Sequence, residues 1–125
     1  VIIDAPCSSI GTIRRNPEIF YRHSAPNFQY ITSIQYKFLN KAKNLVKNKG
    51  IIIYMVCSFL NNEGKNQIER FLNENKNFSL VKFFSKDPDI NELINEKGFF
   101  KTYPINFRKK FLIDGFFAAQ LQKNA

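Results

Sequence analysis

Apolar residues in this chain follow two rhythms, unbroken runs rich in β-branched side chains and a three-and-four spacing. Their alternation predicts an α/β sheet. Val1-Ile2-Ile3 opens the first run and passes at once into Asp4-Ala5-Pro6-Cys7-Ser8-Ser9-Ile10-Gly11. That reads as a buried parallel strand over residues 1–6 feeding a loop dense in polar chemistry. Such loops sit at the carboxyl ends of strands, where open α/β sheets bind ligands. Gly50-Ile51-Ile52-Ile53-Tyr54-Met55-Val56 repeats the design and delivers Cys57-Ser58. Being wholly apolar, residues 51–56 predict a strand buried on both faces.

Between the two strands, residues 7–26 read as a long loop broken at Pro17 and Pro26, of a length that favours a functional segment. Residues 27–48 predict a helix. Phe28, Ile31, Ile34, Phe38, Ala42 and Leu45 form its inward stripe, and Lys37, Lys41, Lys43 and Lys47 its polar face. Asn48-Lys49-Gly50 is the stop signal, with Gly50 near the C-cap. After a loop over 57–62, Glu63 to about Asn75 predict a second helix with Ile68, Phe71 and Leu72 facing inward. Residues 78–84 read as a third strand. Residues 85–98 are polar, with a helical turn around Ile90, Leu93 and Ile94. Residues 99–105 form a short strand cut by Pro104, and 115–122 the last strand. The closing strands lack a crossover helix, so one of them is expected to run antiparallel. Phe116 and Phe117 are expected in the core.

Composition narrows the picture. At 125 residues the chain is one domain or part of one. It begins inside a strand and without Met, so an upstream segment is expected. The net charge of +9 favours a polyanionic partner such as nucleic acid, against the plainer reading of lysine drift from compositional bias. The Phe surplus follows the same bias and is assigned no function. Two cysteines and no secretory signal argue for a reducing compartment, hence the cytoplasm. No apolar run reaches the roughly 20 residues of a membrane span.

If the first two strands are parallel neighbours, their ends lie about 5 Å apart. Cys7 and Cys57 then face one cleft with Asp4 beside them. Two cysteines and the single His23 are too few for a closed zinc site, so no metal is expected. A structural disulfide conflicts with a reducing compartment. Inert buried cysteines are the plain alternative, weakened because both follow their strands and adjoin polar residues. His23 is assigned nothing.

Asp4-Ala5-Pro6-Cys7-Ser8, followed by Gly11-Thr12-Ile13-Arg14-Arg15-Asn16-Pro17, closely resembles the Asp-Ala-Pro-Cys-Ser signature of the Sun family of RNA cytosine-5 methyltransferases. Tyr54-Met55-Val56-Cys57-Ser58 is similar to the family's second cysteine motif, Glu63 to the acidic stretch after it, and Asp114-Gly115-Phe116-Phe117-Ala118-Ala119-Gln120-Leu121 to its closing strand. The four matches occur in family order over nearly the whole chain. The resemblance implies a Rossmann-like S-adenosylmethionine-dependent methyltransferase sheet with helices on both faces and an antiparallel last strand. Residues 1–125 are then the second half of the catalytic domain.

The implied activity is methylation of cytosine C5 in RNA, with ribosomal RNA the expected substrate, through a covalent adduct between a cysteine and C6. The resemblance makes Cys57 the nucleophile, Cys7 the residue that assists release, and Asp4 the active-site acid between cofactor and cytosine. Asp4 and Pro6 are expected to border S-adenosylmethionine. The plain alternative for Pro6 is a strand terminator. Arg14 and Arg15 are expected to contact RNA, against the plain reading of a solvated surface, and Arg108, Lys109 and Lys110 form a second basic cluster. A monomer is expected.

Three features depart from the family pattern. Val56 stands where Thr is usual, and Ser9 and Ile10 where Gly or Ala and then Thr are usual. Gly11, Gly50, Gly64, Gly98 and Gly115 are scattered and make no glycine-rich cofactor loop. The chain alone is therefore expected to bind S-adenosylmethionine weakly and to expose a sheet edge. A second reading is a truncated, catalytically inactive RNA-binding remnant. A third, a DNA cytosine methyltransferase, leaves the Cys57 motif unexplained.

Overall fold

A computed structural model describes residues 1–107 and 109–125, so the Arg108 part of the second basic cluster lies outside the described residues. The apolar run forms strand β2 (Ile51–Val56), as its composition predicts. It pairs in parallel with β1 (Ile2–Asp4), Asp4 opposite Met55. On its other side it pairs antiparallel with β5 (Phe116–Lys123), Val56 opposite Phe117. The expected antiparallel closing strand is thus β5. The far edge of β5 is shared. Strand β3 (Phe78–Val81) takes Gln120 to Lys123, and β4 (Phe100–Thr102) takes Phe116 to Ala118. This sharing is why β3 stops at Val81 and not at residue 84 as expected: β4 occupies the next stretch of the same edge. Pro104, which has no N–H to give a ladder, lies just past β4.

Helix α1 (Phe28–Leu45) is the crossover from β1 to β2, and α2 (Lys65–Glu74) leads from β2 toward β3. The Asn27 side chain caps α1 by accepting from the Tyr30 N–H at 3.0 Å. At its far end the residue with positive φ is Lys49, at 61°, and not Gly50. The short α3 (Pro88–Asn91) falls in the expected helical turn. Residues 7–26 hold two 3-10 turns, Ile10–Thr12 and Pro17–Tyr21.

One core lies between the sheet and the α1–α2 pair. Alternate residues Ile52, Tyr54 and Val56 of β2 are fully buried there with Ala119, Leu121, Leu39, Ile68 and Phe71. Ile51, Ile53 and Met55 on the opposite face are only partly covered, so β2 is not sealed on both faces by the described residues. The buried face of α1 also differs from the expected stripe. It is Gln35, Tyr36, Leu39 and Ala42, whereas Phe38 and Leu45 are exposed. Those two flank β1, where they line an open pocket with Val1, Ile2, Ile3 and Asp4. Ile2 is 69% exposed, so β1 carries the expected uncovered sheet edge. Among the described residues no helix is long and apolar enough to cross a membrane.

Candidate active site

Parallel pairing of β1 and β2 brings two polar loops out at one end of the sheet. The Ala5 N–H donates to the Met55 carbonyl at 3.0 Å and carries the pairing one residue beyond β1. Two residues further, the Cys7 and Cys57 sulfurs lie 3.1 Å apart. Both are free and half-buried. The Ser9 hydroxyl also approaches the Cys57 sulfur, at 3.7 Å.

This arrangement drives the two thiols apart. The hydrogen bond from Cys7 favours the thiolate of Cys57 and lowers its pKa to about 6; burial and the charge of Asp4 oppose that, and the Ser9 hydroxyl adds to it. The same hydrogen bond, with burial, pushes the Cys7 thiol well above its ordinary value. The pair loses its first proton from Cys57, and Cys7 keeps its own as the donor. A depressed pKa means that the Cys57 thiolate is present above about pH 6 and is lost as pH falls through that value.

The two loops are joined from beneath by Glu63, which is fully buried. Its carboxylate accepts from the Ser8 N–H at 2.7 Å and the Ser8 hydroxyl at 2.6 Å. It also accepts from the Ser58 hydroxyl at 2.5 Å and the Gln35 amide at 3.3 Å. The same Gln35 amide donates to the Pro6 carbonyl at 3.0 Å. Gln67 in turn donates to the Gln35 side-chain oxygen at 3.1 Å. The network explains why a glutamine occupies the buried face of α1. Spacing rules see only apolar stripes, and the one sequence signal was the acidic residue following the second cysteine motif.

The loop after Cys7 also passes over Cys57. The Gly11 N–H donates to the Cys57 carbonyl at 3.0 Å, and the Gly115 N–H donates to the Gly11 carbonyl at 2.7 Å. A Cβ on Gly11 would run into the Gly115 backbone and lie 2.8 Å from the Cys57 carbonyl oxygen, so this crossing requires glycine.

Asp4 is exposed at the end of β1, near enough for its charge to act on Cys57. Pro6 is exposed and, with Cys7, Tyr30, Ile31 and Ile34, lines an apolar pocket of about 200 Å³. Arg14 and Arg15 both reach across to Asp114, at 3.3 and 2.6 Å. The Arg15 guanidinium holds the Asp114 carboxyl below the usual carboxylate range. Lys110 pairs with Asp89, away from the cysteines, and His23 is exposed. Val56, in place of the usual Thr, is fully buried against β5 opposite Phe117.

A family model described as 16S rRNA methyltransferase RsmB/F matches residues 1–122. A probable ribosomal RNA small subunit methyltransferase B from Synechocystis is 30% identical over 122 residues, covering 98% of this chain and 26% of that protein. The crystal structure of PH0851 shares 34% identity and superposes with a TM-score of 0.81 over 98% of this chain and 26% of that one. NSun6 from Pyrococcus horikoshii, solved with SFG, shares 22% identity with a TM-score of 0.72 over 99% of this chain and 29% of that one, a likeness of fold. The chain spans about a quarter of the length of the curated relatives it matches.

Proposed function

The chain belongs to the 16S rRNA methyltransferase RsmB/F family, and from that premise we propose that it carries the reacting half of an RNA (cytosine-5) methyltransferase acting on ribosomal RNA. The observation that carries the reading is the 3.1 Å contact of the two sulfurs at the ends of parallel neighbouring strands. Cytosine C5 is a weak nucleophile, and a thiolate that adds at C6 makes it a strong one. The Cys57 sulfur forms the S–C6 bond while the C5=C6 pair shifts onto C5. S-adenosylmethionine, when bound, supplies the methyl group that C5 accepts. The C5 proton then passes to solvent water, its bonding pair restores the C5=C6 double bond, and the S–C6 pair returns to Cys57. The Cys7 S–H bonds to that sulfur, so it stabilises Cys57 both as the attacking thiolate and as the leaving one. This favours Cys57 as nucleophile and Cys7 as the residue that eases release.

Asp4 suits a role at the cytosine, where a carboxylate accepts from the exocyclic amine and rejects uracil. The residues present also fit part of a cofactor site. The exposed Asp4 carboxylate matches a cationic ligand, and the apolar wall of Pro6, Tyr30, Ile31 and Ile34 matches an adenine-sized group. On this reading the remainder of the site comes from beyond residues 1–125, and the 125 residues alone are expected to bind S-adenosylmethionine weakly. Arg14 and Arg15 border the loop of Cys7 and contribute positive charge toward the RNA backbone.

The test uses the full-length protein that carries residues 1–125. Cys7→Ala and Cys57→Ala are incubated separately with cytosine-containing RNA and S-adenosylmethionine, and protein–RNA adducts are read on a denaturing gel. The expected result is a stable adduct with Cys7→Ala and none with Cys57→Ala. If wild type neither methylates RNA nor forms an adduct, the chain is an inactive RNA-binding remnant.

A further inference from the structure

The mechanism above uses both sulfurs and leaves the buried Glu63 without a part. Its surroundings are specific. A carboxylate offers about four lone-pair sites and no donor, and four donors meet it: the Ser8 N–H, the Ser8 hydroxyl, the Ser58 hydroxyl and the Gln35 amide. None is a cation. Ser8 follows Cys7 and Ser58 follows Cys57, so the donors belong to the two reacting loops and to the helix beneath them. Each serine hydroxyl is itself oriented from behind, Ser58 by the Leu60 N–H at 3.2 Å and Ser8 by the Ile10 N–H at 3.4 Å. The Tyr54 hydroxyl fixes Glu63 from below by donating to its backbone carbonyl at 2.6 Å.

We propose that Glu63 is a positioning residue, whose carboxylate ties the loop of Cys7 to the loop of Cys57 and thereby sets the sulfur–sulfur contact. This rests on the reading of the two cysteines as nucleophile and release residue. It differs from an electrostatic role in sign. The negative charge of Glu63 raises the Cys7 thiol, so removing charge alone lowers it. Removing the tie separates the sulfurs, takes from Cys57 its strongest donor, and moves Cys57 up. Among the described residues, Asp4, Arg15 and Tyr54 also act on the pair, and none of these three bridges the loops.

The experiment follows the pH dependence of Cys57 alkylation by iodoacetamide in the full-length protein, located by peptide mass spectrometry, with a thermal melt as the control for folding. Wild type is expected to show a midpoint of about 6. Glu63→Ala is expected to move it toward the ordinary thiol value of about 8.5 and to slow alkylation at pH 6.5 by about tenfold or more. Glu63→Gln keeps an oxygen for the Ser8 N–H and Gln35 and an amide for the two hydroxyls, so it is expected to hold the midpoint near wild type. A folded Glu63→Ala with the wild-type midpoint overturns the proposal, as does a Glu63→Gln shifted as far as Glu63→Ala. If Glu63→Ala does not fold, Ser58→Ala removes one tie and is expected to move the midpoint in the same direction; a folded Ser58→Ala with no shift overturns it. Failure of the methyl-transfer reading looks different: no RNA adduct, with these thiol titrations as described.

Discussion

The loops of Cys7 and Cys57 share a plan and differ in outcome. Each leaves one of two parallel neighbouring strands, presents a cysteine, and donates its next serine to Glu63. Yet their contact shifts the Cys57 thiol down and the Cys7 thiol up. The difference lies in what folds over each. The Cys57 loop is short and returns within six residues to Glu63, at the foot of α2. The Cys7 loop is long and arches over its neighbour, bringing the Ser9 hydroxyl to the Cys57 sulfur and the Gly11 N–H to the Cys57 carbonyl. Donors therefore converge on Cys57 from a loop that is not its own. Two nearly identical Cys-Ser dipeptides acquire distinct chemistry from the path of one loop across the other.

The strongest way to break the comparison is to remove the thiolate. Cys57→Ala is expected to cut methylation by about 10⁴-fold or more, the scale on which a covalent nucleophile matters. A Cys57→Ala enzyme near wild-type rate, measured by methyl transfer to RNA, reverses the assignment. Cys7→Ala acts on the other member. It removes the donor that most lowers Cys57, so the alkylation midpoint is expected to rise from about 6 toward the ordinary thiol range. A midpoint that stays near 6 assigns the low value to Ser9 instead. Gly11→Ala attacks the crossing itself. Its Cβ has no room against the Gly115 and Cys57 backbones. The expected cost is about 1–3 kcal/mol in a denaturant melt, together with an upward shift of the Cys57 midpoint. For contrast, Leu39→Ala in the fully buried core is expected to cost about 2–5 kcal/mol and leave that midpoint where it was.

How far the sequence disclosed this arrangement follows from the range of the interactions. Strand β2 matched its expected span because one uninterrupted apolar run settles it. The meeting of Cys7 and Cys57 was legible because a single helix between two apolar strand runs is the right crossover for parallel neighbours. The far end of β3 was not, since it depends on β4 claiming the same edge of β5. The inward face of α1 was misread for a related reason. Apolar spacing selected Phe38 and Leu45 and could not select Gln35, whose burial is compensated by Pro6, 29 residues away, and Glu63, 28 away. Glu63 itself was visible only as an acid near a motif, because its partner Ser8 is 55 positions distant. The pairing of Arg14 and Arg15 with Asp114 spans about a hundred positions and left no local trace.

That pairing gives the smallest expected effect and separates two uses of the arginines. Asp114 precedes Gly115, whose N–H holds Gly11, so Arg14 and Arg15 fasten the Cys7 loop to the start of β5. The Cys57 loop has no such tie among the described residues. Exposed ion pairs contribute little to stability, so Asp114→Asn is expected to leave the thermal midpoint nearly unchanged. If the arginines face RNA, the carboxylate competes with phosphate, and its neutralisation strengthens binding to single-stranded RNA. Each freed cation then steepens the slope of log affinity against log salt by about 0.7. If they serve as a brace alone, RNA affinity and its salt slope stay at wild type while the Cys57 alkylation midpoint rises, because the loop that supplies Ser9 and Gly11 has lost its anchor. Filter binding across a salt series, beside the alkylation titration on the same protein, distinguishes an arginine pair aimed at the RNA from one that holds the Cys7 loop over Cys57.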